Sequence, residues 1–303
     1  MSYKLCNYPY WFCYHKELKH CTQFLIMIHK AVIPAAGMGT RLLPATKEQP
    51  KEMLPVFCEF QNDVIVKPTL QVIFENIYSS GIREFCFITG RTKRAIEDHF
   101  VPHNNPCIKK QIKPLDDFHE ILNKSRIYWI NQHEPHGFGD AVLHAKHFIN
   151  NENFLVHAGD TILSAKNINI LSRLFDIHEK YRPDATIIIH RPKDIQNFGV
   201  AETTIISEGV HKVLGIEEKP EHPKTDLAVL PVYAFNPIIF KALENTKSDK
   251  KGELQVVDAI QLMINWGLEV IAMELGTEEI RLDIGNPQSY KEALSYVIPE
   301  AKL

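Results

Sequence analysis

Residues 30–55 read KAVIPAAGMGTRLLPATKEQPKEMLP, and this stretch contains the strongest structural and chemical signal in the chain. The apolar run at residues 31–34 predicts a buried strand. The strand leads into a loop of small residues, Ala35, Ala36, Gly37 and Gly39. Small side chains let backbone N–H groups approach a phosphate or a base closely. Arg41 follows directly, and a guanidinium pairs well with phosphate oxygens. The stretch therefore predicts a phosphate-binding loop at the end of a strand.

Further cations follow the loop. Lys47 and Lys51 lie within reach of it along the chain. A triphosphate undergoing transfer needs such cations, because catalysis there depends mainly on positioning and charge neutralisation.

The stretch has no GKS or GKT, which a Walker loop requires. A dinucleotide fingerprint fails as well, because Leu42 stands where its third glycine would be. A nicotinamide dehydrogenase is therefore disfavoured.

The rest of the chain alternates between strand and helix patterns. Up to residue 156 the predicted elements are a helix at 68–80, a strand at 85–88, a helix at 93–100, a strand at 127–130, a helix at 141–149 and a strand at 154–156. Beyond residue 160 they are strands at 185–190, 200–206, 213–217 and 227–235, a helix at 254–265, a strand at 270–274 and a final helix at 289–297. This order predicts an α/β fold with helices on both faces of a mixed, mostly parallel central sheet.

Residues 1–29 differ from this pattern and have no clear period. We interpret them as an N-terminal extension of unknown role, followed by a single domain at residues 30–303. Translation starting at Met27 is an alternative that the sequence leaves open. The extension contains five candidate zinc ligands, Cys6, Cys13, His15, His20 and Cys21. Their spacing does not match a known zinc finger, which disfavours a zinc site.

Composition narrows the functional classes. The chain has 303 residues and a formal net charge of −3, with no long basic run, so nucleic acid is not expected as a main partner. No apolar run approaches the roughly 18 residues of a membrane span. The six cysteines form no CxxC pair and are typical of reduced thiols. We therefore expect a cytoplasmic protein.

Three segments resemble one family. They are G-x-G-T-R with P-K-x-x-x-P in residues 37–55, KPTLQ at residues 67–71 and ITGRTKRAIEDHF at residues 88–100. Together they are similar to nucleoside-diphosphate-sugar pyrophosphorylases, and within that family to the UTP–glucose-1-phosphate uridylyltransferases. The resemblance covers residues 30 to about 301. It implies a Rossmann-like three-layer nucleotidyltransferase fold and a homodimer or homotetramer.

The resemblance also implies a set of site residues. The nucleotide-binding set is Ala35, Ala36, Gly37, Gly39, Glu52, Gln132 and Gly137. The sugar-binding set is Gly199, Glu218, Lys219 and Glu253. Asp160 and Asp283 would hold Mg²⁺, and Arg41, Lys51, Asp160 and Lys219 would be catalytic. From the residues alone, a polar loop, a turn cap and a charged turn remain alternatives for the segments around Gln132, Asp160 and Glu218.

The implied reaction is a Mg²⁺-dependent transfer of UMP from UTP to glucose 1-phosphate, with release of pyrophosphate. Two alternatives stay open, a related enzyme such as a glucose-1-phosphate thymidylyltransferase and a non-catalytic regulator that binds a sugar nucleotide. Two positions depart from the family pattern. Arg281 stands where Trp or Tyr is frequent, and Thr161 stands where Asn is frequent. Both departures bear on sugar specificity.

Overall fold

The computed structural model describes residues 28–102, 113–166 and 168–301. The candidate zinc ligands and Met27 lie outside the described residues, as does Cys107. The strands are β1 (Lys30–Pro34), β2 (Pro55–Phe60), β3 (Asp63–Pro68), β4 (Glu84–Thr89), β5 (Arg126–Asn131), β6 (Phe154–His157), β7 (Thr161–Ser164), β8 (Ala185–His190), β9 (Gly199–Ser207), β10 (Val210–Glu218), β11 (Ala228–Phe235), β12 (Val270–Glu274), β13 (Ile280–Asp283) and β14 (Val297–Ile298). The α-helices of the described residues are α1 (Thr69–Ser79), α2 (Arg94–His99), α3 (Lys113–Asn123), α4 (Phe138–His144), α5 (Lys146–Ile149), α6 (Ile170–Tyr181), α7 (Ile238–Asn245), α8 (Val256–Asn265) and α9 (Pro287–Leu294). Short 3₁₀ turns cover Thr40–Leu42 and Lys51–Met53.

The central sheet has nine strands in the order β5-β4-β1-β6-β11-β8-β12-β10-β9. β1 pairs in parallel with β4 on one side and β6 on the other, and β4 continues in parallel to β5. β10 and β11 run against their neighbours, so they point opposite to the other strands of this sheet. The sheet is mixed with one dominant direction, as predicted.

Two hydrophobic cores cover the two faces of the sheet. Ala31 and Ile33 of β1 face one core, and Val32 faces the other, because successive strand residues point to opposite faces. On the first side, Phe74 of α1 packs within 4.5 Å of the Phe85 ring, measured between centroids. Burial on both faces explains the continuous apolar runs of the central strands. The predicted three-layer arrangement is confirmed.

The structure has two smaller sheets besides the central one. β2 lies between β3 and β14, and β13 pairs antiparallel with β7. The second pairing places Asp283 opposite Thr161. The sequence pattern predicted neither sheet. The β7–β13 and β2–β14 pairings join segments far apart in the chain, which local pattern does not show. The β2–β3 hairpin is local, with only Gln61 and Asn62 between its strands, and was missed.

The prediction of a final helix at residues 289–297 is wrong at its end. The helix α9 begins earlier, at Pro287, where Asn286 caps it, and it ends at Leu294. Val297 and Ile298 instead pair in parallel with Phe57 and Cys58 of β2. The available edge of β2 decides this, which local helical spacing cannot show.

Among the described residues, none of the helices has both the length and the apolar character needed to span a membrane.

The buried histidine at the end of β6 generates a prediction about acid stability. His157 is 2% exposed and donates from Nδ1 to the Ala158 carbonyl at 2.9 Å. Burial lowers the pKa of His157 to about 4. Below pH 6.5 the unfolded chain protonates this ring while the folded chain does not. The folded state therefore loses up to about 1.4 kcal/mol per pH unit from this group between pH 6.5 and 4.

We predict that His157→Asn makes the free energy of unfolding less dependent on pH between 6.5 and 4, as measured by urea denaturation. The variant keeps part of the dependence, because burial also lowers the pKa of His99 and His190 to about 4. His222→Asn, at an exposed position, is the control and keeps the wild-type slope. Equal slopes for wild type and His157→Asn would contradict the prediction.

Candidate active site

A cavity of about 640 Å³ opens at the carboxyl ends of β1 and β6. This is the edge where open α/β sheets bind ligands, and the volume lies within the usual range for small-molecule sites. The predicted site residues that line it are Ala36, Gly37, Lys51, Glu52, Gln132, Gly137, Asp160, Gly199, Glu218, Glu253 and Asp283. Ala35, Gly39, Arg41 and Lys219 are not among its lining residues.

The small residues of the loop after β1 have different structural roles. The Ala35 N–H donates to the Ile88 carbonyl at 2.8 Å, so this amide extends the sheet and is not available to a phosphate. Ala36 and Gly37 line the cavity. Gly39 has φ of 65°, a left-handed conformation that favours glycine, and its carbonyl accepts from Thr46 Oγ1 at 2.7 Å. The tight turn at Gly39 directs the chain toward Lys51.

Lys51 and Asp160 form an ion pair at the end of the cavity next to this loop. Both side chains are about one-fifth exposed. Burial is the largest single effect and disfavours the charged form of each group, but the surrounding charges and the hydrogen bond between the two groups together outweigh it. The carboxylates of Asp160, Glu52 and Asp283 raise the pKa of Lys51. Lys51 and Arg281 lower the pKa of Asp160, so both groups are charged in the folded protein.

Glu52 forms a second, more deeply buried ion pair with Lys93. Lys93 Nζ donates to Glu52 Oε2 at 2.7 Å, and the two side chains are 3% and 1% exposed. Burial raises the pKa of Glu52, and Lys93 and then Lys51 oppose that rise. This pair ties the segment at residues 50–55 to the segment at residues 88–100. The nucleotide contact of Glu52 stays a prediction, because its carboxylate is already used by Lys93.

Asp283 is oriented by three donors. Its Oδ1 lies 2.9 Å from Arg281 Nη2, and its Oδ2 accepts from the Gly285 N–H at 3.1 Å and Ser289 Oγ at 3.0 Å. The Ile284 N–H donates to the Asp160 carbonyl at 2.9 Å, which joins the two aspartate segments. The two predicted metal ligands are therefore brought to one part of the cavity.

The donor chemistry fits a metal ion that protein and substrate hold together. Two carboxylates supply hard oxygen donors. Across the described residues, no group of three or more His, Cys, Asp or Glu side chains forms a metal cage. Mg²⁺ needs no such cage, because it commonly takes one or two carboxylates and completes its shell with phosphates and water.

Gln132 and Gly137 lie at another part of the cavity. Gln132 is 4% exposed, and its Nε2 donates to Asp140 Oδ2 at 2.6 Å. Gly137 has φ of 105°, and a Cβ there would lie 2.7 Å from the Leu254 carbonyl oxygen. Only glycine fits this position, so the chain turns sharply into α4 against the Leu254 backbone.

The predicted sugar residues occupy the side of the cavity formed by β9, β10 and the segment before α8. Gly199 begins β9, Glu218 ends β10, and Glu253 precedes α8. Lys219 follows with φ of 45°, an unusual conformation for a lysine, and its Nζ donates to Glu218 Oε1 at 2.5 Å. Its side chain is half-exposed. Lys47 is 76% exposed and pairs only with Glu48 among the described residues.

Sequence reasoning missed several residues that line the cavity, and it treated Arg281 and Thr161 only as departures from the family pattern. Tyr233 and Phe198 are two of the lining residues that were not predicted. Arg281, the noted departure, lies with its guanidinium 4.9 Å from the Phe198 ring centroid and pairs with Asp283. The spacing of Arg281 and Asp283 on one strand was an available signal, because residues two apart share a face.

Comparison with known proteins places these features in a family context. The nucleotidyl transferase family model matches residues 30–299. A UTP–glucose-1-phosphate uridylyltransferase of Mycoplasma pneumoniae is 36% identical over 278 residues, which cover 89% of this chain and 92% of that protein. A Bacillus subtilis protein of the same name is 38% identical over 241 residues, or 77% and 78% of the two chains.

A solved UDP-glucose pyrophosphorylase complexed with UDP-glucose superposes with a TM-score of 0.78 and 31% identity. The match covers 89% of this chain and 98% of that one. These similarities confirm the resemblance drawn from residues 30–100 and the predicted nucleotidyltransferase fold.

The buried pair of Glu52 and Lys93 generates a stability prediction. Glu52→Gln leaves the Lys93 charge buried without a carboxylate, which should lower the free energy of unfolding by about 3–5 kcal/mol. Urea denaturation measures this value. The matched control is Glu48→Gln, because the 3.6 Å contact between Glu48 and Lys47 is exposed. This variant should lower the free energy of unfolding by less than about 1 kcal/mol.

Replacing both partners, as Glu52→Leu with Lys93→Met, should recover much of the loss because no buried charge remains. If Glu52→Gln proved as stable as Glu48→Gln, the buried pair would not be what joins the two segments.

Proposed function

This chain belongs to the nucleotidyl transferase family, and from that premise we propose that it transfers UMP from UTP to glucose 1-phosphate, giving UDP-glucose and pyrophosphate. One observation supports the proposal above the others. Two carboxylates, Asp160 and Asp283, and two cations, Lys51 and Arg281, meet beside a Gly-rich loop in a cavity large enough for both substrates. A reaction between two anions requires such a concentration of charge.

In this reaction an oxygen of the sugar phosphate forms a bond to the α-phosphorus of UTP. The bond from that phosphorus to the bridging oxygen breaks, and pyrophosphate leaves with the electron pair. Lys51 neutralises charge that builds on the α-phosphate, because its ammonium group stays charged in the folded protein. No covalent intermediate with the protein is required. The protein acts by binding, aligning and neutralising the two substrates.

Different parts of the cavity recognise the two substrates. Gln132 and Gly137 read the uracil, and the Oε1 of the Gln132 carboxamide supplies a hydrogen-bond acceptor for the base. Ala36 and Gly37 bring backbone close to the nucleotide, and Gly39 shapes the turn. On the other side, the carboxylates of Glu218 and Glu253 accept hydrogen bonds from sugar hydroxyls.

Arg41 and Lys219 are long side chains at exposed positions near the cavity. We propose that Arg41 binds the departing pyrophosphate and that Lys219 binds the phosphate of glucose 1-phosphate. The left-handed backbone of Lys219 supports this, because strained conformations of non-glycine residues cluster at functional sites. Binding the sugar phosphate would require Lys219 Nζ to exchange its contact with Glu218 for a phosphate oxygen.

Nucleotidyl transferases of this family generally use a divalent metal ion. We propose Mg²⁺, held by Asp160 and Asp283, which when bound would supply charge neutralisation at the substrate phosphates.

We also propose that the protein works in the cytoplasm. Cys58 and Cys86 are free, buried thiols, and burial raises the pKa of each to about 12, as expected for inert cysteines of a reducing compartment.

The alternatives differ in substrate or in turnover. A thymidylyltransferase would use dTTP, whose base carries one more methyl group than uracil and whose sugar lacks the 2′-hydroxyl. One methyl group changes selectivity only about 10- to 200-fold in a pocket. A non-catalytic regulator would bind a sugar nucleotide without releasing pyrophosphate. The retained charges of Lys51, Asp160 and Asp283 favour an enzyme over a regulator.

The test measures pyrophosphate release with four nucleoside triphosphates and several sugar 1-phosphates. We predict the highest kcat/KM with UTP and glucose 1-phosphate. An interaction made in both ground and transition states affects KM, whereas one made only in the transition state affects kcat. Lys219→Ala should therefore mainly raise KM for glucose 1-phosphate. Lys51→Met should mainly lower kcat, by about 30- to 1000-fold for about 2–4 kcal/mol.

Lys212→Ala, an exposed lysine on β10, is the control and should leave both constants unchanged. Titration of glucose 1-phosphate into enzyme loaded with a non-hydrolysable UTP analogue separates affinity from turnover. Wild-type binding by Lys219→Ala would remove Lys219 from the sugar phosphate site. Absence of pyrophosphate release with every pair would favour the regulator.

We further propose that residues 30–303 form the catalytic unit and assemble as a homodimer or homotetramer. Phe57, Val64, Val66 and Val297 are exposed on one face of the β2–β3–β14 sheet, and such an apolar face is typical of an association surface.

Light scattering of the full chain and of a chain starting at Met27 tests both proposals. We predict the same dimeric or tetrameric mass and the same activity per subunit for the two chains. A monomer, or an inactive shorter chain, would contradict the corresponding proposal.

A further inference from the structure

The carboxamide of Gln132 is held in one orientation by acceptors inside the protein. Its Nε2 donates to Asp140 Oδ2 at 2.6 Å and lies 3.4 Å from the Gly137 carbonyl oxygen. A carboxylate and a carbonyl can only accept. The reversed amide would bring Oε1 against two acceptor oxygens, which is repulsive. Asp140 therefore decides which end of the carboxamide points away from it.

The other end of the carboxamide remains available. Within the described residues, Oε1 of Gln132 accepts no hydrogen bond, and it is not among the buried side-chain atoms without a partner. It therefore keeps access to solvent, and Gln132 lines the cavity. A lone acceptor at the cavity wall selects a ligand edge that donates.

We infer that Asp140 is a specificity-determining residue, which orients Gln132 so that its Oε1 selects a pyrimidine with an N–H at N3. This inference rests on the proposed function, in which Gln132 reads the base. Uracil and thymine carry a hydrogen on N3, whereas cytosine has a lone pair there. The fixed carbonyl oxygen accepts from the first two bases and repels the third. Asp140 does not line the cavity, so it acts through Gln132.

The surroundings of Asp140 leave its carboxylate to this role. Asp140 lies in the first turn of α4, and its side chain is 23% exposed. The nearest cationic candidate is His144, whose Nδ1 lies 3.7 Å from Asp140 Oδ2 and instead donates to the Asp140 backbone carbonyl at 2.8 Å. The short contact of Oδ2 is therefore the one to Gln132.

Helix stabilisation is the competing explanation, since an acidic side chain in a first turn interacts favourably with the helix dipole. The two explanations differ in what they do to base selectivity. Loss of helix stability would weaken all nucleotides together. Loss of amide orientation would help CTP relative to UTP while leaving the ratio of UTP to dTTP unchanged, because uracil and thymine share the same N3–H.

The experiment compares wild type, Asp140→Asn and Asp140→Ser by kcat/KM for UTP, dTTP and CTP with glucose 1-phosphate. Asparagine keeps the size of the side chain but can donate as well as accept, so Gln132 can reverse. We expect the UTP to CTP ratio to fall about 10-fold or more in both variants, with the UTP to dTTP ratio within about twofold of wild type. Dissociation constants of UDP and CDP, measured by calorimetric titration, should show the same change without turnover.

Glu134→Gln is the matched control. It removes a carboxylate charge from the same loop, at an exposed position that contacts His136 and not Gln132. Its UTP to CTP ratio should equal that of wild type. A wild-type UTP to CTP ratio in Asp140→Asn and Asp140→Ser, by kinetics and by titration, would overturn the inference while leaving the proposed function intact. A wild-type enzyme that does not prefer UTP over CTP would overturn the proposed function itself.

Discussion

The parallel pairing of β1 with both β4 and β6 is the constraint on which the site depends. Parallel neighbours end at the same edge of a sheet, so the loops after these three strands must meet. The Ala35 N–H bonds to the Ile88 carbonyl, and the Gly159 N–H bonds to the Pro34 carbonyl, which continues both pairings past the strand ends. The Gly-rich loop, the Lys93 segment and Asp160 are held together by this geometry before any ligand arrives.

Charge pairs then organise what the sheet has brought together. Lys93 neutralises Glu52, Lys51 neutralises Asp160, and Arg281 neutralises Asp283. Removing one partner would leave an uncompensated charge in such surroundings, so each pair constrains the position of the loop that carries it. The Glu52–Lys93 pair is almost fully buried and serves the structure. The Lys51–Asp160 and Arg281–Asp283 pairs line the cavity, where phosphates and a metal ion could exchange with them.

Much of this arrangement was predictable, and the reasons can be traced to particular residues. Gly37, Gly39 and Lys51 lie in one short stretch, so a phosphate-binding loop could be predicted there without knowledge of long-range contacts. Asp160 follows a buried strand and was placed correctly at the sheet edge. The roles of Lys93 and Asp140 were not predicted, because each acts through a residue distant in sequence or through the orientation of another side chain.

By itself, the sequence determined the α/β class, the central strands and the Gly-rich loop after β1, because these depend on local composition and periodicity. The choice of Asp160 and Asp283 as candidate metal ligands came from the family resemblance. Tertiary structure decided which charges pair, which predicted cations lie outside the cavity lining and where the chain ends its last helix. Val297 joins the edge of β2, and Arg41 and Lys219 lie outside the lining. The physical reason is that ion pairing, edge pairing and side-chain direction depend on distances between segments far apart in the chain, and local pattern carries no measure of those distances.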